Sequence, residues 1–179
     1  MLQAVASLLV GEHRRAVEEI RSGLEERFGI RGDYAGHLPH FSYQVAEEYD
    51  VGRLKELLRG FAREVSPFEV RTSGLGVFTG ERPVLYVPIV RTPALSWLHR
   101  VLWRELSGTG QNISGYYRPE YWIPHITLAQ GERFEELLPD VLCWLKDREF
   151  GWKVPVNNLA LIQRAGAEHE LIFQVGLGP

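Results

Sequence analysis

The chain is short of cysteine, of net positive charge and of long apolar runs, and each shortage removes a class of protein. Cys143 is the only cysteine in 179 residues, so no intrachain disulfide can form and a thiolate metal cluster is not expected. Its setting, Val141-Leu142-Cys143-Trp144-Leu145, reads as a buried helix position where cysteine behaves as a small hydrophobe. Lys and Arg number 20 against 23 Asp and Glu, a formal net charge of −3. No global positive field draws in nucleic acid, so a polyanion would have to be recognised by a local basic cleft. No apolar stretch approaches the roughly 18 residues that a spanning helix requires. Met1-Leu2-Gln3-Ala4 lacks a basic stretch ahead of an apolar run, so no signal peptide is expected. Low-complexity segments, linkers and short repeats are also missing. These absences leave a soluble cytoplasmic protein with no membrane partner as the expectation, its length fitting one domain with a sizeable interior.

What the chain does have is a pair of related pentapeptides. Pro39-His40-Phe41-Ser42-Tyr43 and Pro124-His125-Ile126-Thr127-Leu128 each read proline, histidine, apolar, hydroxyl, large apolar or aromatic. Their histidines lie 85 positions apart, nearly half the chain. Two such pentapeptides, one in each half, suggest an internal duplication that brings two histidines together.

The order of elements around them repeats. Ala4 to Val10 reads as a buried strand. A helix follows from Glu12 to Phe28, with Val17, Ile20, Leu24 and Phe28 at helical spacing and Gly29 as C-cap. After a loop at 31–36 comes the first pentapeptide strand, Pro39 to Ala46. Asp50 caps a helix carrying Leu54, Leu57, Leu58, Phe61 and Val65, which Pro67 stops. Phe68 to Thr79 and Val84 to Val90 then predict a hairpin around Gly80-Glu81-Arg82-Pro83. Thr92-Pro93 starts a helix to about Leu106. A long connection from Gly108 to Trp122 leads to the second pentapeptide strand, Pro124 to Gln130. A helix with Phe134, Leu137, Leu138, Val141 and Leu145 on one face follows. Strands at Val154 to Gln163 and Glu170 to Gly176, joined at Ala165-Gly166-Ala167, end the chain. Helices mixed with hairpins favour an α+β fold with antiparallel sheet, in halves of about 1–91 and 92–179.

Alternate residues of a strand share a face, so His40 with Ser42, and His125 with Thr127, point one way. Phe41, Tyr43, Ile126 and Leu128 point the other. Each pentapeptide thus offers one imidazole and one hydroxyl from a rigid strand. A pseudo-twofold between the halves would converge all four on one centre, an economical phosphate site. Histidine, with a pKa near 6.5, exchanges protons near neutrality. One imidazole can take a proton from an attacking water or hydroxyl while the other protonates the leaving oxygen. Ser42 and Thr127 can donate to the phosphoryl oxygens as charge builds.

These residues resemble the 2H phosphoesterase superfamily, most closely its 2′-5′ RNA ligase-like (LigT-like) branch. The two H-x-[ST]-h motifs are His40-Phe41-Ser42-Tyr43 and His125-Ile126-Thr127-Leu128, with aromatic Phe41 and Tyr43 where aliphatics are usual. The resemblance extends to the apolar first strand, the Gly74-Leu75-Gly76-Val77-Phe78 turn before Val84-Leu85-Tyr86-Val87, Arg118 ahead of Pro124-His125, and the Trp152 to Leu161 strand. It implies a bilobal, internally duplicated α+β fold, its antiparallel sheets flanked by helices and a cleft between the lobes. It also implies hydrolysis of 2′,3′-cyclic phosphates or related cyclic phosphodiesters, with reversible 2′-5′ ligation in some members. The expected partner is an RNA terminus or a small cyclic nucleotide, bound by a monomer without metal or cofactor. A non-catalytic binder of nucleotide ends is the competing reading.

Other polar residues are weighed against plainer roles. Gln44 and Gln130 follow the motifs and read as sharing the histidine face, where they either orient substrate or are simply exposed. Tyr116, Tyr117, Arg118, Tyr121 and Trp122 suit base stacking and phosphate pairing, or Tyr121 and Trp122 pack beneath the loop. Arg164 is a candidate for phosphate or a solvated surface residue. His37 reads as a loop histidine and no metal ligand, while His13, His99 and His169 read as surface residues.

Overall fold

The helices begin and end where the chain's own chemistry starts and stops them. The structure, a computed structural model, describes residues 2–30, 38–130, 134–165 and 168–178; His37, the 31–36 loop and most of the 165–167 turn lie outside them. Strand β1 (Leu2–Leu8) leads into α1 (Gly11–Phe28), which ends on Gly29 at φ 64°, its N–H bonded to Glu25 O at 2.9 Å. Glycine enters this left-handed conformation without steric cost. Strands β2 (His40–Ala46) and β3 (Glu48–Tyr49) precede α2 (Val51–Glu64), whose Asp50 side chain accepts from Arg53 N–H at 3.1 Å. Then come β4 (Phe68–Arg71), β5 (Gly76–Phe78), β6 (Val84–Pro88) and α3 (Pro93–Leu106), where Thr92 accepts from Leu95 N–H at 3.2 Å. The second half continues with β7 (Gly110–Gln111), a 3-10 turn at Gly115–Tyr117 and β8 (His125–Gln130). It closes with α4 (Phe134–Leu145), β9 (Lys153–Val156), β10 (Asn158–Ala165) and β11 (Glu168–Gly176).

The architecture is α+β and its described strands pair antiparallel. One sheet has the order β11-β10-β1-β2, a second β5-β6-β8, and two-stranded pairs join β3 to β7 and β4 to β9. Each larger sheet carries one pentapeptide strand at its edge, and the two edges, β2 and β8, approach one another. Each sheet also draws strands from both halves of the chain. Phe41, Tyr43, Ile126, Leu128 and Trp122 lie in one buried cluster with the apolar faces of all four helices. No helix among the described residues is long and apolar enough to cross a membrane.

Three expectations need correction. The hairpin of β5 and β6 continues only as a Thr72↔Ile89 bridge, with Val90 N–H donating to Arg71 O at 2.8 Å, because β4 itself pairs with β9 through Phe68↔Val156 and Val70↔Val154. Alternation identifies a strand without naming its partner. The strand expected over Val154 to Gln163 is split, its two parts lying in different sheets. The break falls at Asn157, and the buried side chain of the next residue, Asn158, bonds both Leu8 N and Leu8 O at 2.9 Å, satisfying the end of β1 as a neighbouring strand would. Cys143 is exposed. With Val141 and Leu145 facing the core, a residue two positions from each points outward on a helix of 3.6 residues per turn.

Candidate active site

Both pentapeptide strands carry a β-bulge at the same place. In the pairing of β1 with β2, Ala6 faces Ser42 and Val5 faces Gln44, so Tyr43 has no partner. In β6 with β8, Tyr86 faces Thr127 and Leu85 faces Ala129, leaving Leu128 unpaired. An extra residue reverses the alternation beyond it. Tyr43 and Gln44 are therefore both buried, as are Leu128 and Ala129, and the cleft face resumes at Val45 and Gln130. Gln44 is thus withdrawn from the histidine face, a correction to simple alternation. It is 0% exposed, its Oε1 accepting from Tyr49 OH at 3.0 Å and its Nε2 donating to Trp103 O at 3.4 Å. Gln130 reaches the cleft only because the bulge turns it there.

The histidines are held alike. His40 Nδ1 lies 2.7 Å from Leu38 O, and His125 Nδ1 lies 2.7 Å from Ile123 O. A carbonyl only accepts, so each Nδ1 carries the proton and each neutral ring is left with a basic Nε2. Their surroundings differ. Phe78 and Tyr86 stack at 4.2 Å, and His125 packs against them at 4.9 and 5.2 Å. Tyr86 fits there because residue 76 is glycine, where a Cβ would stand 2.5 Å from the tyrosine ring. Burial behind this wall lowers the pKa of His125, with the bond to Ile123 O opposing it.

A cavity of about 640 Å³ takes in His40, Ser42, His125 and Thr127 together. Gln130 and Tyr121 also line it, the latter 69% exposed at the rim beside Tyr116 at 86%. Arg21, Arg82 and Arg164 contribute guanidiniums, and among the described lining residues there is no Asp or Glu. Arg21 donates from its terminal nitrogen to Thr127 O at 2.8 Å. Arg118 does not line the cavity. Its carbonyl instead accepts from the N–H groups of Tyr121 and Trp122 at 2.9 Å, shaping the loop that presents Tyr121. Arg21 and Arg82 escaped sequence reading because neither neighbours a motif; the only signal was an uncommitted arginine on a helix and another in a turn.

A family model of the 2′-5′ RNA ligase superfamily matches residues 10–168. The chain belongs to the 2′-5′ RNA ligase superfamily. A protein of Bacillus cereus (strain ATCC 10987 / NRS 248), provisionally named a phosphoesterase, is 25% identical over 154 residues, covering 83% of this chain and 82% of its own. Among solved structures, TT0787 of Thermus thermophilus superposes with a TM-score of 0.65 at 20% identity, over 99% of this chain and 98% of that one. Escherichia coli LigT complexed with 3′-AMP gives 0.62 at 17% identity, over 98% and 96%. Both likenesses are of fold.

In this superfamily member the first motif strand is tied to the second half of the chain through a buried pair of rings. Trp122, 1% exposed, donates from Nε1 to Ser42 O at 2.9 Å. His99 stacks on it with centroids 3.7 Å apart, and His99 Nε2 lies 2.9 Å from Tyr43 O. Two side chains from the second half therefore satisfy consecutive carbonyls at the bulge of β2. Arg91 braces the loop from outside, donating to Trp122 O at 3.2 Å and Pro119 O at 2.9 Å. His99 is 0% exposed, which corrects its reading as a surface histidine; its helix turns that face inward with Leu95, Leu98 and Leu102. His13 packs on Trp152 at 6.1 Å. Among the described residues no three His, Cys, Asp or Glu side chains group as metal ligands.

Proposed function

We propose that this phosphoesterase-superfamily chain hydrolyses 2′,3′-cyclic phosphates of RNA ends or nucleotides, with His40 and His125 as the acid and base. The observation that carries the reading is the matched pair of Nδ1-anchored histidines on two edge strands lining one cleft. A water oxygen attacks phosphorus and gives its proton to one Nε2. One ring P–O bond breaks, and the departing oxygen takes a proton from the other histidine, leaving a phosphate monoester and an alcohol. The two histidines end with their protonation states exchanged. Burial favours the neutral, proton-accepting form of His125, which suits it to be the base and leaves His40 as the acid. Ser42 and Thr127 donate to the non-bridging oxygens, and the exposed rings of Tyr116 and Tyr121 offer stacking surfaces for a base. LigT was crystallised with a nucleotide, 3′-AMP, which agrees with a nucleotide-sized ligand.

The test is a screen of 2′,3′-cyclic nucleotides, cyclic-phosphate RNA ends and 2′-5′ linked dinucleotides, with products resolved and chelator added in parallel. Turnover of a cyclic phosphate that survives chelation is expected; binding across the panel without turnover would overturn hydrolysis in favour of a binding protein. Ser42→Ala and Thr127→Ala are each expected to lower kcat by about 10²-fold, near 3 kcal/mol per removed donor, with little change in KM. The pH profile supplies another check. Because the His125 pKa is lowered, its base form persists as pH falls, so the acid limb of kcat/KM should lie below 6.5. An acid limb above that value would rule out His125 as the base.

A further inference from the structure

We propose that the cleft continues past the histidines into a second phosphate subsite, formed by Arg82 and Arg164, which takes an upstream backbone phosphate of a single-stranded RNA end. This rests on the phosphodiesterase reading and selects among its substrates. Charge is the first support. In a chain with 23 acidic and 20 basic residues, the described cleft lining holds three arginines and no carboxylate. A concave surface of one sign focuses its field on an anionic ligand.

Position is the second support. His40 pairs with Leu8 on one side of β1, and Arg164 pairs with Leu2 on the other. Those partners are separated by about 20 Å along the strand at ~3.3 Å per residue. Val84 pairs with Gln130, which lies about 16 Å along β8 from His125 on the same spacing, and Arg82 precedes Val84 by two residues. Both arginines therefore stand toward the C-terminal ends of the motif strands, away from the histidines, while lining the same cavity. A cyclic phosphate held between His40 and His125 leaves that end to another part of the ligand. A guanidinium matches phosphate in a bidentate fork. It has five donors, so one guanidinium can hold a protein partner and a phosphate at once. Arg21 is not counted in the subsite, since it supports Thr127 O. Two exposed rim tyrosines, Tyr116 and Tyr121, add stacking surface for more than one base.

Binding tests this without relying on turnover. The probes are a ribotrinucleotide with a 3′-phosphate and a nucleoside 3′-monophosphate, titrated by calorimetry over a series of salt concentrations. The wild type should bind the trinucleotide at least about tenfold more tightly, a difference near 1.4 kcal/mol. In R82Q/R164Q, checked for an unchanged melting temperature, most of that advantage should vanish. The slope of log K against log salt for the trinucleotide should become shallower by about 0.7 for each phosphate no longer neutralised. Equal wild-type affinity for the two probes would overturn the subsite. So would an equal loss on both probes at an unchanged salt slope. Turnover of the matching cyclic-phosphate forms is scored separately: preference for the trinucleotide without turnover keeps the subsite and removes the hydrolase reading.

Discussion

Replacing either His40 or His125 with alanine should lower turnover of a 2′,3′-cyclic nucleotide by about 10²–10⁴-fold, the range for losing one positioned proton-transfer group. The two losses should be of similar size, because each histidine serves one half of a single concerted exchange. The double variant should then be little worse than either single one, since groups acting as a unit are strongly non-additive. Stability should barely change. Each imidazole is half-buried and bonds through Nδ1 to a carbonyl only two residues away, so melting temperatures should move by no more than about 4 °C. The measurements are steady-state kinetics on all three variants alongside thermal melts. Full activity in either single variant would end the twin-histidine proposal, and a lost melting transition would reassign the effect to folding.

How far the sequence carried this picture follows from what each signal encodes. Helix starts at Asp50 and Thr92, and the stop at Gly29, were legible because capping is local chemistry between residues a few positions apart. That His40 shares a face with Ser42, and His125 with Thr127, was legible for a similar reason: within three residues of a strand, alternation holds. It fails at the bulges. Tyr43 and Leu128 each take a place without a partner, and only the pairing strand reveals it, so Gln44 was placed on the wrong face and Gln130 reached the right one for a reason alternation cannot supply. Partner choice was equally hidden. Nothing local in Phe68–Arg71 distinguishes pairing with Lys153–Val156 from pairing with the next strand along. The cleft arginines come from a helix, a turn and a late strand, and only the tertiary fold assembles them. Trp122 and His99 were visible as an aromatic and a helical histidine; their stacking beneath the first motif was not.

That buried stack makes stability depend on pH. His99 has its pKa pushed down to about 4 from 6.5, chiefly by burial, against the opposing bond to Tyr43 O. Among its charged neighbours, Arg91 lowers it further while Glu120 raises it. In the unfolded chain the imidazole gains its proton near 6.5, but in the folded protein it stays neutral until about 4. The unfolded state therefore binds the extra proton throughout that interval, and stability must fall as pH drops through it. Stability is full above 6.5 and the loss is complete below 4, where it reaches about 3 kcal/mol. For a chain of this size that corresponds to a fall in Tm of about 10 °C. His125, its pKa also lowered, acts in the same direction. His99→Gln keeps a donor for Tyr43 O but cannot titrate. It should be less stable than wild type at pH 7, where the stacking ring is lost, yet should lose markedly less stability on acidification. Thermal melts of both proteins at half-unit steps from pH 7.5 to 4, with buffer enthalpies matched, decide the matter: parallel curves for the two would show that the titrating group lies elsewhere. Because His99 holds the Tyr43 carbonyl and stacks on Trp122, which holds that of Ser42, acid loosening there should reach the first motif before the rest of the fold.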